Sequence, residues 1–129
     1  MVHAPAALAA RVFDVGIGGD AFASVQAAVD AAVAGGDAAT IRIAAGTWRG
    51  VVDVPPDAPA LRVVGAGAAQ TRIVHDHYAS RIDPRTGEAF GTYGSATMFV
   101  RADDFHAEHL TIANDAGPVG QAVALVVDG

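Results

Sequence analysis

Neither cysteine nor lysine occurs in this chain of 129 residues. Without cysteine there is no disulfide, no thiolate metal site and no thiol nucleophile, and cysteine usage leaves the compartment open. Without lysine the glycine-rich stretch Gly16-Ile17-Gly18-Gly19-Asp20 cannot be a phosphate loop, and since it is not G-x-G-x-x-G either, it reads as a tight turn. All eight basic residues are arginines, scattered among fourteen acidic ones for a formal net charge of −6. Nucleic acid as a partner is excluded on that ground, because a phosphate-binding surface needs a basic patch. No apolar run approaches the roughly 20 residues of a bilayer-spanning helix. The small, apolar segment Met1 to Arg11 lacks a basic start and is interrupted by Pro5, so it reads as an N-terminal extension and not as a secretory signal.

What remains is a chain of 13.0 kDa in which 52% of residues are hydrophobic, enough to bury one core and too many for a disordered tail. Val12 to Val15 reads as a first strand. A helix is expected from about Ser24 to Ala34, with Val25, Val29, Ala32 and Val33 on its apolar stripe, Gln26 and Asp30 on the other side, and Gly35-Gly36 as its stop. From Thr40 on, the text is short β-rich segments: Ile41 to Ile43, Val51 to Val54, Leu61 to Val64, Thr71 to Val74, Ala96 to Val100, His109 to Ile112 and Ala122 to Val127. No second helical pattern separates them, which argues against a doubly wound sheet.

Their spacing carries the fold. Ile41 to Leu61 is 20 residues, Phe99 to Val123 is 24, and Leu61 to Phe99 is 38, read as one turn plus an insertion. A period in the low twenties with two or three strands per turn predicts an all-β, right-handed parallel β-helix (a solenoid) with an N-terminal capping α-helix, truncated after its first coils. A sandwich of hairpins competes, but no Asn-Gly or Asp-Gly turn lies between the strands. The insertion, His75 to Gly94, is rich in aromatics, charges and turn residues; such insertions project from one face of a solenoid and wall a cleft.

Candidate chemistry is sparse. His75-Asp76-His77 puts two imidazoles on one side of an extended chain, with His106 and His109 further on, yet a metal needs three or four convergent ligands and solvated loop histidines are the plainer reading. Ser24, Ser80 and Ser95 lie in no G-x-S-x-G motif. Tyr78, Phe90 and Tyr93 either stack on sugar rings or pack the insertion onto the body. Gln121, at the head of Gln121-Ala122-Val123-Ala124-Leu125, is expected to hold its amide at the mouth of a half-buried strand with Val123 and Leu125 inward.

Four segments in order resemble the N-terminal part of the pectin methylesterase (pectinesterase) family: Ser24 to Ala32, Ile41 to Trp48, Gly91 to Thr97, and Leu110 to Pro118 followed by Gln121 to Leu125. The resemblance covers residues 12 to 129. It implies a parallel β-helix that hydrolyses methyl esters of galacturonate units in pectin, a secreted setting, and no metal or organic cofactor. In that family one Asp attacks the ester, a second Asp serves as acid then base, glutamine amides stabilise the oxyanion, and an Arg orients the nucleophile. Carried over by position, Gln121 is the oxyanion-side and substrate-binding candidate and Thr92 contacts the sugar chain. None of the family aspartates carries over, and Asp128 matches no catalytic position. Gly50 stands where the family pattern has Glu, and Trp48 where it has Tyr. The chain by itself is therefore expected to be inactive and to self-associate through an open β-helix end. The alternative is a non-enzymatic carbohydrate-binding or structural solenoid; a lyase on the same fold would ask for calcium-binding carboxylates and a basic cleft, which the sequence does not offer.

Overall fold

The computed structural model describes residues 11–128; of the expected extension Met1 to Arg11, residues 1–10 lie outside them and Arg11 opens the first strand. β1 (Arg11–Val15) is followed by α1 (Val25–Gly35) and then by β2 (Ala39–Ile43), β3 (Gly46–Arg49), β4 (Val52–Val54), β5 (Leu61–Val64), β6 (Thr71–His75), β7 (Met98–Val100), β8 (Phe105–Glu108), β9 (Thr111–Asn114) and β10 (Leu125–Val127). Three sheets result, in the orders β1-β2-β5-β8, β3-β6-β9 and β4-β7-β10. Every ladder is parallel. The chain visits the three sheets in turn, so β2-β3-β4, β5-β6-β7 and β8-β9-β10 are successive coils of the expected parallel β-helix.

The register corrects the spacing in detail. Ile41 stacks on Val63, not Leu61, and Phe99 stacks on Val126, not Val123. A slip of two residues in a strand keeps the same face, which is why apolar periodicity tolerated the first of these. Leu61 stacks on Phe105 in the first sheet, whereas Phe99 belongs to the third sheet beside Asp53, so the distance from Leu61 to Phe99 joins two sheets and is not a coil plus insertion. β3 and β8 were not foreseen: Gly-Thr-Trp-Arg and Phe-His-Ala-Glu hold few branched apolar residues, and the strands beside them impose the extended form.

Inward residues stack coil on coil. Ile41, Val63, Ile73, Val54 and Met98 are fully buried, while Arg42, Arg62 and Arg72 alternate with them outward. Outward charges pair between neighbouring strands, as where Arg42 Nε meets Asp14 at 2.7 Å across the β1-β2 ladder. Such exposed pairs favour this register and contribute little else.

α1 begins where Ser24 accepts a hydrogen bond from the Ala27 N–H at 3.1 Å, and ends at Gly36, whose φ of 79° is the left-handed conformation that glycine adopts without strain. It buries Val25, Ala28, Val29 and Ala32 against β1, β2 and β4; Ala28 joins the expected stripe, and Val33 sits at its edge. Gln26 lies with Asp30 on the side away from the apolar stripe, as expected, its Nε2 donating to Asp30 Oδ1 at 2.8 Å, and it also reaches β4. Its Oε1 accepts from the Asp53 N–H at 2.6 Å, and its Nε2 donates to the Asp53 carbonyl at 3.1 Å. Since β4 is the edge of the third sheet, this one side chain occupies the place of a missing neighbouring strand.

Candidate functional site

Between β6 and β7 the insertion leaves the coil and folds back on itself. Gly91 N–H donates to the Ala79 carbonyl, Phe90 N–H to that of Arg81, and Asp83 N–H to that of Glu88, at 2.9, 2.9 and 2.8 Å, with Ile82 and Ala89 bridged antiparallel. The segment is thus a hairpin finger. Its tip is tied by Asp83, which is buried: the carboxylate accepts from the Arg85 N–H at 2.8 Å and from the guanidinium of the same residue. These bonds to Arg85 hold the Asp83 carboxyl below the usual carboxylate range.

A second loop, 115–124, separates β9 from β10, and here the strand expectation fails. Gln121 is not on a strand: β10 starts at Leu125, and the Gln121 carbonyl is taken by the Ala79 N–H of the finger at 2.8 Å. Val123 is half-buried in the loop. Leu125 and Val127 stack in register on buried Met98 and Val100 and so face inward, yet they are 42% and 68% exposed on the rim of the last described coil.

The two loops also meet through a pair of side chains. Thr92 Oγ1 donates to Gln121 Oε1 at 2.7 Å. Asn114, at the end of β9, fixes both sides of that contact: its Nδ2 lies 2.8 Å from the His77 carbonyl and 3.1 Å from those of Ser95 and Val123, and its Oδ1 accepts from the Ala116 N–H at 2.9 Å. Ser95 is fully buried and bridges the same segments, donating to the Thr92 carbonyl at 2.6 Å and accepting from the Val123 N–H at 3.2 Å. Residue-by-residue reading of the sequence passed over Asn114, and weighed Ser95 only as a nucleophile before setting it aside. The one signal was their place inside segments that resemble the family.

At the base of the finger His75 and His77 do fall on one side, with their Nε2 atoms 3.1 Å apart and their rings edge to face. His77 also stacks on Phe90, centroids 4.1 Å apart. Burial, then the neighbouring His75, lowers the His77 pKa below the ordinary value, favouring the neutral ring. Among the described residues no three His, Asp or Glu side chains converge as metal ligands. Of the three aromatics, Phe90 packs the finger through His77, Tyr78 lies under the Arg81 guanidinium at 4.6 Å, and Tyr93 stands 74% exposed beside Thr92.

The finger walls a cleft of about 630 Å³ over the outer face of β4 and β7. Asp53, Phe99 and Arg101 form its floor, and His77, Asp83 to Thr86, Glu88 to Phe90 and Gly94 its wall. Its size is that of a small-molecule or oligosaccharide site. Sequence reading foresaw a cleft at the insertion but not the floor, which depends on β4 and β7 becoming neighbours across an interval of some 46 residues from Val52 to Met98.

The molecule is a parallel β-helix whose polar pair and cleft sit where insertions leave the coils, away from the packed interior. The profile of the pectinesterase family matches residues 13–129, and the chain belongs to that family. A pectinesterase of Ralstonia nicotianae is 37% identical over 130 residues, covering 84% of this chain and 32% of its own length. Pectinesterase 31 of Arabidopsis thaliana is 32% identical over 111 residues, covering 82% and 35%. Among solved structures, the pectin methylesterase from carrot superposes with a TM-score of 0.75 at 32% identity over 92% of this chain and 35% of its own. A pectin methylesterase in complex with a hexasaccharide gives 0.80 at 26% identity over 91% and 38%. The chain thus spans about a third of the length of these relatives. Among the described residues no helix is long and apolar enough to cross a membrane.

Proposed function

We propose that this chain forms the first coils of an esterase that removes methyl groups from galacturonate methyl esters of pectin, with Thr92 touching the sugar chain and the Gln121 amide on the side where the oxyanion develops. The observation that carries this reading is the Thr92–Gln121 hydrogen bond, held in place by Asn114 and Ser95. With the Gln121 oxygen occupied by the Thr92 hydroxyl, its Nε2 is left as a donor. Ester hydrolysis builds negative charge on the carbonyl oxygen as a nucleophile adds, and an amide fixed beforehand meets that charge without reorganising. The exposed ring of Tyr93 beside Thr92 offers a sugar an apolar face. A pectin substrate places the working enzyme outside the cell.

Within this reading the nucleophile and the acid–base group come from other coils. Among the cleft carboxylates, Asp53 and Asp83 are bound to Arg101 and Arg85 and serve structure. The purified 129-residue chain is therefore expected to release no methanol from methyl-esterified pectin. A chimera in which residues 13–128 replace the matching segment of the Ralstonia pectinesterase is expected to release it. An inactive but folded chimera, with the parent active, would favour a binding solenoid instead. The apolar rim formed by Leu125 and Val127 supports self-association of the isolated chain, read as concentration-dependent sedimentation.

A further inference from the structure

The finger carries Thr92 and the loop before β10 carries Gln121, and the feet of both are joined by charged side chains through β3. Arg49, the last residue of β3, lies opposite Val74 of β6, which lies opposite Ala113 of β9. Two strand spacings of about 4.8 Å each therefore separate Arg49 from β9. The Arg49 side chain crosses β6 all the same and grips Asp115, where the Gln121 loop begins. Its Nη1 and Nη2 donate to the two carboxylate oxygens at 2.7 and 3.0 Å. Val74 alternates with inward Ile73 and is still buried, as an outward residue is when a long side chain lies over it. The Asp115 N–H donates to the His75 carbonyl at 3.0 Å, so its backbone extends the β6-β9 ladder. From there to Gln121 no backbone-to-backbone bond ties the loop to the coils among the described residues, and Asn114 and Asp115 together fix where it starts.

The row of charges continues into the finger. Asp76, the residue after β6, accepts from Arg81 Nη1 at 3.2 Å. Hydrogen bonding to Asp115 raises the Arg49 pKa above its ordinary value against desolvation, and the charges of Asp115 and then Asp76 add to the rise, so Arg49 also feels the carboxylate at the foot of the finger. Signs thus alternate from loop to finger through Asp115, Arg49, Asp76 and Arg81. An isolated exposed pair contributes little, but a bidentate pair within such a row holds its geometry.

Resting on the reading of Gln121 as the oxyanion-side amide, we propose that Arg49 is a positioning residue for ester hydrolysis: through Asp115 on one side and Asp76 with Arg81 on the other, it sets the spacing between the loop that carries Gln121 and the finger that carries Thr92. Arg49 bonds to neither Thr92 nor Gln121 and acts only through the carboxylates. Without the guanidinium the foot of the loop is released, and the Gln121 amide no longer meets the developing charge from a fixed place. Binding of a sugar chain is spread over many contacts and feels such a displacement less than the chemical step does.

The test uses the chimera with the Ralstonia pectinesterase, assayed for methanol release at low ionic strength. Arg49→Gln is expected to lower kcat about tenfold and to leave KM within about twofold, the scale of a donor displaced and not deleted. Arg49→Lys keeps the charge, loses the fork, and is expected to regain part of kcat. Arg49→Gln combined with Asp115→Asn should fall no further than Arg49→Gln alone, because both remove one contact. In the 129-residue chain, Arg49→Gln should also speed hydrogen exchange at the Ala79 amide, whose acceptor is the Gln121 carbonyl, and leave the amide of Val63 in the coil unchanged. An unchanged kcat in Arg49→Gln overturns the proposal, as does a loss confined to KM, a further loss in the double variant, or a fall in kcat with Ala79 exchange unaltered. Gln121→Leu in the same chimera separates the two claims. If it lowers kcat while Arg49→Gln does not, the positioning role alone is lost; if it leaves kcat intact, the reading of Gln121 is lost and the positioning role with it.

Discussion

Thr92 and Gln121, 29 residues apart in the chain, are joined by a hydrogen bond of 2.7 Å between their side chains. One sits at the foot of the finger, the other in the loop before β10, and the Ala79 N–H closes the same junction by donating to the Gln121 carbonyl at 2.8 Å. Replacing Thr92 by Val keeps the shape and removes the hydroxyl. The Gln121 amide then loses its fixed orientation, and affinity for a methyl-esterified oligogalacturonide is expected to fall about three- to tenfold, the worth of one hydrogen bond. Calorimetric titration measures it. An unchanged affinity would separate this bond from substrate binding.

Asn114 serves three carbonyls and one N–H from segments that the coil alone does not connect. Asn114→Ala is expected to destabilise the chain by about 1–3 kcal/mol, because the carbonyls of Ser95 and Val123 lose a donor in a half-buried setting. Thermal unfolding gives the loss, and hydrogen exchange should show it concentrated at Thr97 and Val123. Uniform exchange across all coils would contradict the local role.

Gly50, where the family pattern carries Glu, has a φ of 144°, and its N–H is bound to the Val74 carbonyl at 3.1 Å. Nothing stands within 4 Å of where a Cβ would be, so the constraint there is backbone conformation and not space. Gly50→Ala and Gly50→Glu are both expected to cost about 1–3 kcal/mol in a denaturant melt. A stabilising Glu would show that the turn readily adopts another conformation.

The His77 imidazole titrates below its ordinary 6.5, chiefly through burial and then through His75 and Arg81, with Asp76 and Asp83 pulling the other way. Below 6.5 the unfolded chain takes up the proton first. The stability owed to neutral His77 is thus fully present above 6.5 and is lost as pH falls through the lower folded-state value. Asp14, Asp83 and Asp115, each held down mainly by a hydrogen-bonded arginine, give the same sign in a separate window, below their ordinary 3.8. His77→Phe keeps a ring against Phe90 and is expected to flatten the fall in melting temperature that begins below 6.5, while leaving the acid limb below 3.8 in place. A retained slope in the upper window would place the titration elsewhere.

How much of this was legible follows from what each signal depends on. Alternating valine and isoleucine in Ile41 to Ile43, Leu61 to Val64 and Thr71 to Val74 encodes burial on one face, and the stacked coils use those faces as read. Register was less legible, because a two-residue slip preserves the pattern, and the spacing from Leu61 to Phe99 crossed between sheets unnoticed. Gln121 stood out as a residue but belongs to a different element from the one expected: Ala122 to Val127 reads as one apolar strand, while the loop's bonds to Ala79 and Asn114 hold residues 121–124 out of the ladder and the strand begins at Leu125. Gln26 read only as a residue of the polar side, because helical periodicity says nothing of an exposed strand edge beside it. The cleft floor of Asp53, Phe99 and Arg101 had no sequence signature, since it exists only once β4 and β7 are neighbours.

The most direct test of the role given to Gln121 uses the chimera in which residues 13–128 replace the matching segment of the Ralstonia pectinesterase, with methanol release from methyl-esterified pectin as the readout. Gln121→Leu removes the amide while keeping the side chain's bulk in an exposed loop that it does not hold together through packing. The expected result is a fall in kcat of about 100-fold with a smaller change in KM, as for loss of one oxyanion donor. A chimera carrying Gln121→Leu that turns over as fast as the unsubstituted chimera would contradict the assignment.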